Sequence, residues 1–332
     1  FEETVRAMRS EHVLISTGNK IGFFHDSFFD YVFARRFYAQ NKNIIEYIFE
    51  GEQNLFKRSQ IRRILIYEQS RDPARYERDL RNLLTNPDIR FHLKKGALDA
   101  AEIIDYASPV LWSLFSEIFS GDDRELSREV WWVFINSSAW FPFLFREGLL
   151  EKWLASSDSM TQGHALRIIS QQINSYPDDS VKLLEPYIGK SSGWDQAILQ
   201  IIQRNAIHEN RAGFELFKKM VENDLIDDEE RFGFWTCIND LPRRNPAWIA
   251  EVVGVYLRRV LDTIDINEIK RRFLGRDRAG VQLLPEIAQK VPVQFLENVL
   301  PSFLKIVFES SQEREGDLRH DPIWSIRMCW PD

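Results

Sequence analysis

Apolar residues recur at three- and four-residue spacing along most of the chain, and the first segment that breaks this rhythm lies near its amino end. There Val13 to Thr17 and Ile21 to Phe24 form two short apolar runs around Gly18-Asn19-Lys20, a turn signal that predicts a β-hairpin. The period then changes. Phe28, Phe29, Val32, Phe33, Arg36 and Phe37 fall on one helical face, and Asp26 or Ser27 is positioned to cap it, so a helix is expected directly after the hairpin. His25 falls at the junction, between a strand end and a helix N-terminus.

Beyond Gln40 the pattern predicts helices almost without interruption. In the first half these are Ile44 to Glu50, Leu55 to Gln69, Pro73 to Leu84, Ile89 to Ile104, Pro109 to Phe119, Arg124 to Asn136, Leu149 to Ala155 and Met160 to Ile173. They continue with Ser180 to Tyr187, Trp194 to Gln203, Ala212 to Glu222, Asp228 to Asn239, Ala247 to Leu261, Ile266 to Phe273, Gly280 to Lys290 and Val293 to Glu309. Separators such as Pro87-Asp88, Gly121-Asp122-Asp123 and Asn245-Pro246 are short and rich in turn formers, as antiparallel helix neighbours require. No further strand is expected.

Four helix openings look alike, led by Ser180, Ala212, Ala247 and Val293. Their matched positions Leu183, Leu216, Val252 and Val299 are unevenly spaced, which excludes a strict tetratricopeptide or ankyrin period. Degenerate HEAT-like helical pairs fit this pattern, each burying its face on the next pair; a compact irregular helical domain is the alternative. The fold expected is mainly α: one β-hairpin that ends a first subdomain, then an α-solenoid. The expected boundaries are residues 1–42, a helical repeat domain over 43–312, and a C-terminal tail over 313–332.

Composition narrows the function. The 332 residues carry a net charge of −7, which argues against a general nucleic-acid binder, and ten Trp with 24 Phe are enough to fill an extended core. Two cysteines without metal-ligand spacing fit a reducing compartment. The longest apolar runs, such as Ala139 to Phe145, are too short to span a bilayer, and no signal-peptide pattern is present, so a cytoplasmic location is expected. Charge is uneven, however. Residues 57–95 hold eleven basic side chains against five acidic, and Arg75, Arg78 and Arg81 sit three apart on one helix and are expected to share one face. Such a stripe suits docking on an acidic protein surface, a solvated face, or phosphate binding; the first two are favoured, because interleaved exposed aromatics and Gly-rich loops are missing.

Catalytic constellations are absent from the sequence. His12, His92, His164, His208 and His320 have no carboxylate or cysteine at a recognised spacing, and neither His-Glu-x-x-His nor Gly-x-Ser-x-Gly occurs. Gly189-Lys190-Ser191 imitates the end of a P-loop, but Leu184 stands where its first glycine belongs, so it is read as a helix-ending glycine. Trp131-Trp132 and Trp140-Phe141-Pro142-Phe143 are expected in the core rather than on a ligand-contacting ridge.

The hairpin, histidine and aromatic helix together carry a resemblance. Phe23, His25, Phe28, Asp30, Tyr31 and Ala34 match the pattern Phe-x-His-x-x-Phe-x-Glu/Asp-Tyr/Phe-x-x-Ala, which resembles the end of the winged-helix subdomain in STAND-class NTPases, the NACHT and NLR-like signalling ATPases. Asp30 stands where many members have Glu. The match covers about the first 40 residues, with looser similarity at Leu55 to Arg58 and Tyr76 to Leu80, where bacterial members look alike. The residues alone also fit a plain hairpin–helix corner with a capping histidine.

The resemblance implies that His25 contacts the β-phosphate of ADP in the resting state. It implies a P-loop and Walker B strand upstream of Phe1, so that an intact parent binds ADP or ATP with Mg while this segment hydrolyses nothing alone. It further implies that the helical region senses a protein trigger or ligand, holds the upstream NTPase in check and permits oligomerisation, in bacteria as part of antiphage defence. A constitutive α-solenoid scaffold without a nucleotide switch is the alternative. Nucleic acid and membrane are not expected partners.

Overall fold

A computed structural model of the chain describes residues 14–17, 20–23, 26–205, 210–226, 234–238, 244–263 and 279–311, with 4, 5 and 8 as isolated positions. The turn at Gly18-Asn19, the junction residue His25, the helix expected at Ile266 to Phe273, and the tail over 313–332 lie outside the described residues, as does most of the segment Asp228 to Asn239.

Strands β1 (Leu14–Thr17) and β2 (Lys20–Phe23) pair antiparallel, with Leu14 opposite Phe23 and Thr17 opposite Lys20. No winged-helix subdomain is seen around this ladder among the described residues, and every other described element is helical. The chain divides into two units, residues 1–168 and 169–332.

The first unit holds α1 (Asp26–Ala39), α2 (Ile44–Phe49), α3 (Leu55–Arg71), α4 (Pro73–Thr85), α5 (Phe91–Ala101), α6 (Pro109–Ser120), α7 (Arg124–Asn136), α8 (Trp140–Arg146) and α9 (Leu149–Leu154). Helix α10 (Ser159–Gln172) spans the division between units. Helix starts follow local capping chemistry. Asn43, Asn54, Asp72, Ser108 and Asp123 each accept a backbone N–H from two or three residues onward, and Pro73 and Pro109 occupy first helical positions where no N–H is needed.

Packing in this unit runs from each helix to the next but one. α1 packs on α3, α3 on α5 and α5 on α7, while α2, α4 and α6 form a parallel second row; α3–α4, α4–α5 and α6–α7 join the rows. This is solenoid-like order, since each apolar stripe is buried by the neighbouring helical pair. The second unit repeats it with α11 (Pro177–Leu184), α12 (Ser192–Asn205), α13 (Arg211–Glu222), α14 (Phe234–Ile238), α15 (Pro246–Thr263), α16 (Ala279–Lys290), α17 (Pro292–Asn298) and α18 (Leu300–Ser311). There α11, α13, α15 and α17 pack in succession.

Polar rungs mark the same spacing. Arg58–Asp99, Arg81–Glu117, Lys95–Glu129, Glu102–Asn136, Lys219–Glu185 and Arg211–Glu251 join side chains 34 to 41 residues apart. The fully buried Trp140, Phe115 and Phe134 centre the core of the first unit, and Phe214, Phe217, Phe234 and Tyr256 that of the second.

Three expectations need correction. The run at Trp140-Phe141-Pro142-Phe143 is itself a short helix, α8, because its proline sits in the first turn, where the missing N–H costs nothing. The helix expected over Ile89 to Ile104 is shorter, since Asn86 accepts from the Asp88 and Ile89 amides in a turn that delays its start to Phe91. The single helix expected from Val293 to Glu309 is two, α17 and α18, divided at Val299: Pro301 lacks the N–H that would bond Glu297, and its ring clashes with that carbonyl.

Candidate functional site

Helix α1 carries the residues that the hairpin motif singles out, and three of them now have surroundings. Ala34 and Phe37 are buried against α3. Asp30 accepts a hydrogen bond from Ser59 Oγ at 2.9 Å, and the Tyr31 ring meets Tyr67 edge-on with centroids 6.0 Å apart. Phe33 and Phe37 both contact the Tyr47 ring of α2, whose hydroxyl donates to Gln60 of α3. Lys57 Nζ donates to the Tyr47 and Ile48 carbonyls at 3.0 and 2.7 Å, placing a positive charge on the C-terminus of α2. Helix α1 is therefore fixed on one side to α2 and α3.

Part of the helix nevertheless reaches solvent. Tyr31 is 46% exposed and Val32 37%, and near the α2–α3 connection Phe49, Leu55 and Phe56 are 49%, 71% and 58% exposed. Scattered surface apolar residues are ordinary, but several large ones on three adjoining elements make a candidate contact surface.

The arginine stripe does not act as one surface. Three-residue steps rotate by about 60° each relative to the helix face, so the side chains diverge. Arg75 is 7% exposed and turned inward. Its Nη1 donates to Asn41 Oδ1 at 3.0 Å and its Nη2 to the Lys42 carbonyl at 2.6 Å, and the guanidinium lies 5.1 Å from the Tyr38 ring. Arg78 is outward and paired with Asp79 at 3.1 Å. Arg81 reaches Glu117 of α6 at 2.6 Å. Of the three, Arg75 clamps the turn after α1, Arg78 faces solvent and Arg81 braces the second row of helices.

Behind Arg75 lies a group that sequence reasoning missed. Glu68 of α3 is fully buried, with Oε1 2.9 Å from Arg75 Nε, and the buried Asp79 approaches the same nitrogen at 3.6 Å. Burial, and then the neighbouring Asp79, push the Glu68 carboxyl up to about 8 against the opposing pull of Arg75 and Arg78. A signal was present. Glu68 continues the buried stripe of Ile61, Ile64 and Leu65, and Arg75 and Asp79 interrupt the stripe of Tyr76, Leu80 and Leu83.

The remaining candidates resolve into structure. Trp140, Phe141 and Phe143 are core, whereas Trp132 is 37% exposed under the Arg167 guanidinium. His164 stacks on Trp131 with centroids 4.7 Å apart and planes 14° from parallel. Burial first, then Arg167, hold its imidazole below the ordinary value, with Asp158 opposing.

Gly189 has φ +74°, and its N–H donates to Asp195 Oδ1 at 2.8 Å, so the amide a phosphate would need is already taken by a carboxylate. Cys237 is buried and its thiol is pushed up to about 12 by that burial. Among the described residues there is no cluster of His, Cys, Asp or Glu suited to a metal ion, and no helix long and apolar enough to cross a membrane. His12, His208, His320 and Cys329, like His25, lie outside the described residues. Comparison of the chain with protein-family models, with curated proteins and with solved structures returned no match.

Proposed function

We propose that this chain is the trigger-sensing and autoinhibitory C-terminal portion of a STAND/NACHT-type NTPase, acting in bacterial antiphage defence or related signalling. The observation that carries the reading is the double character of α1. One side of this helix is bonded into the helical array through Asp30, Phe33, Phe37 and the Arg75 clamp, while Tyr31 and Val32 remain exposed on a helix that directly follows a two-stranded ladder. A helix so arranged suits transmission between a nucleotide-binding half that docks on its exposed side and a solenoid-like sensor on the other. The trigger opens the protein to the extent that it binds the open form more tightly than the closed one.

In this reading His25 touches the ADP β-phosphate, and ADP or ATP with Mg belongs to the intact parent, with the upstream NTPase domain as the partner in cis. The test uses that parent. His25→Ala, and separately Val32→Asp on the exposed side of α1, should lower the ADP that co-purifies and raise basal oligomerisation. Unchanged nucleotide occupancy and unchanged oligomeric state in both variants would instead favour a constitutive helical scaffold.

A further inference from the structure

The corner where α1 ends contains more buried charge than its packing requires. Arg75 commits Nη1 to Asn41 and Nη2 to the Lys42 carbonyl, so the ion-pair contacts of two buried carboxylates, Glu68 and Asp79, both fall on Nε. Asp79 has a second cation, because Arg78 Nε lies 3.1 Å from its Oδ1. Glu68 has no second cation within ion-pair distance, Arg78 acting on it only from farther off, and both of its oxygens are buried without a hydrogen-bond partner. Two buried carboxylates near one shared N–H repel each other, and the one with fewer partners is the one that takes a proton.

We propose that Glu68, Arg75 and Asp79 form a proton-dependent latch: one proton held on the carboxylate pair keeps the α1–α2 turn fastened to α3 and α4, and its loss at alkaline pH loosens the turn. The proton leaves the Glu68 carboxyl to solvent water or hydroxide, leaving an anion that the single Nε–H cannot fully satisfy.

The charged groups acting most strongly on Glu68 are Asp79, Arg75 and Arg78, all from α4, while the turn after α1 engages the Arg75 guanidinium through the Asn41 side-chain oxygen and the Lys42 carbonyl. The direction follows from linkage. With the carboxyl raised from 4.5 to about 8 in the closed corner, the closed state holds a proton that the open state has released, so closure weakens as pH rises between those values. For one proton this gives a rise of about tenfold in the opening constant between pH 7 and pH 9.

Hydrogen exchange on the 332-residue chain, corrected for base-catalysed intrinsic exchange, reads this at the Asn41 and Lys42 amides, which donate to the Tyr38 and Phe37 carbonyls. The wild type should lose protection there by about tenfold from pH 7 to 9 while amides of α13 and α15 stay constant. Glu68→Gln copies the protonated shape and should be flat across the same range. Asp79→Asn removes the competing anion and should make the dependence shallower than in the wild type without abolishing it, because burial still holds the Glu68 carboxyl up. A flat wild-type profile, or a wild-type slope in either variant, overturns the latch.

Discussion

Gly254 lies within α15 where α17 crosses it, and replacing it with alanine tests the packing of the second unit with a clear sign. A Cβ built at Gly254 lies 2.3 Å from the Asn298 carbonyl oxygen, 2.8 Å from its carbon and 3.0 Å from its Cβ. The obstructing atoms are mostly backbone, so no side-chain rotation relieves them and the two helices must separate. Helix propensity alone would make Gly→Ala favourable by about 1 kcal/mol, whereas overpacking of this kind costs about 1–3 kcal/mol. Obstruction by fixed backbone puts this site in the upper part of that range, about 2–3 kcal/mol, so the net expectation is a loss of roughly 1–2 kcal/mol, which in a unit of this size lowers Tm by about 2–8 °C.

Gly163 in α10 supplies the contrast, since a Cβ there meets nothing within 4 Å. Gly163→Ala should stabilise by up to about 1 kcal/mol through propensity alone. Both variants are measured by urea titration and thermal unfolding followed by helical circular dichroism. If Gly254→Ala stabilises as Gly163→Ala does, the close approach of α15 and α17 is refuted.

Two further outcomes follow from the titrating groups. His164 should titrate below its ordinary 6.5 because burial, and then nearby Arg167, disfavour the imidazolium; with a depressed folded value its contribution is complete above 6.5 and lost as pH falls, so His164→Gln should flatten the acid limb of a stability profile, and an NMR midpoint at or above 6.5 contradicts the burial of the ring. Cys237 should resist alkylation at pH 8 until denaturant is added, as peptide-resolved mass spectrometry reads directly, because its thiol is buried and held up to about 12; rapid labelling in native buffer would mean that α14 does not pack as described.

The regular part of this fold was readable because capping and periodicity agree at each helix start. Asn43, Asn54, Asp72, Ser108 and Asp123 announce helices that begin one residue later, and Arg124 to Asn136 has the bounds its pattern predicts. Two of the misses were places where the meaning of a proline depends on its position. Pro142 is harmless in the first turn of α8, while Pro301 divides a segment whose apolar residues otherwise keep one helical rhythm.

The repeat was obscured for a different reason. Equivalent positions recur at separations from 34 to 41 residues among the rungs, so no single period aligns the sequence with itself, although the packing of each helix on the next but one is regular. At the candidate site, the arginines were visible as a charge pattern but their directions were not. Arg75 reads as a surface residue until it is noticed that it shares the inward stripe of Tyr76 and Leu80, and that Glu68 answers it from the inward stripe of α3.

The spacing of the rungs also sets a clock. A chain made at roughly 5–20 residues per second needs roughly 2–8 s to deliver the partner of a side chain 34 to 41 residues behind it. While it is being made, therefore, each unit carries one helical stripe awaiting cover, and that stripe moves along the chain as synthesis proceeds. A rung placed early, such as Arg58 with Asp99, closes before the second unit has been made. The hazard of misassociation is thus confined to a few seconds per helical pair rather than accumulated until the chain is complete, and a substitution that delays one rung extends the exposure of that stripe alone.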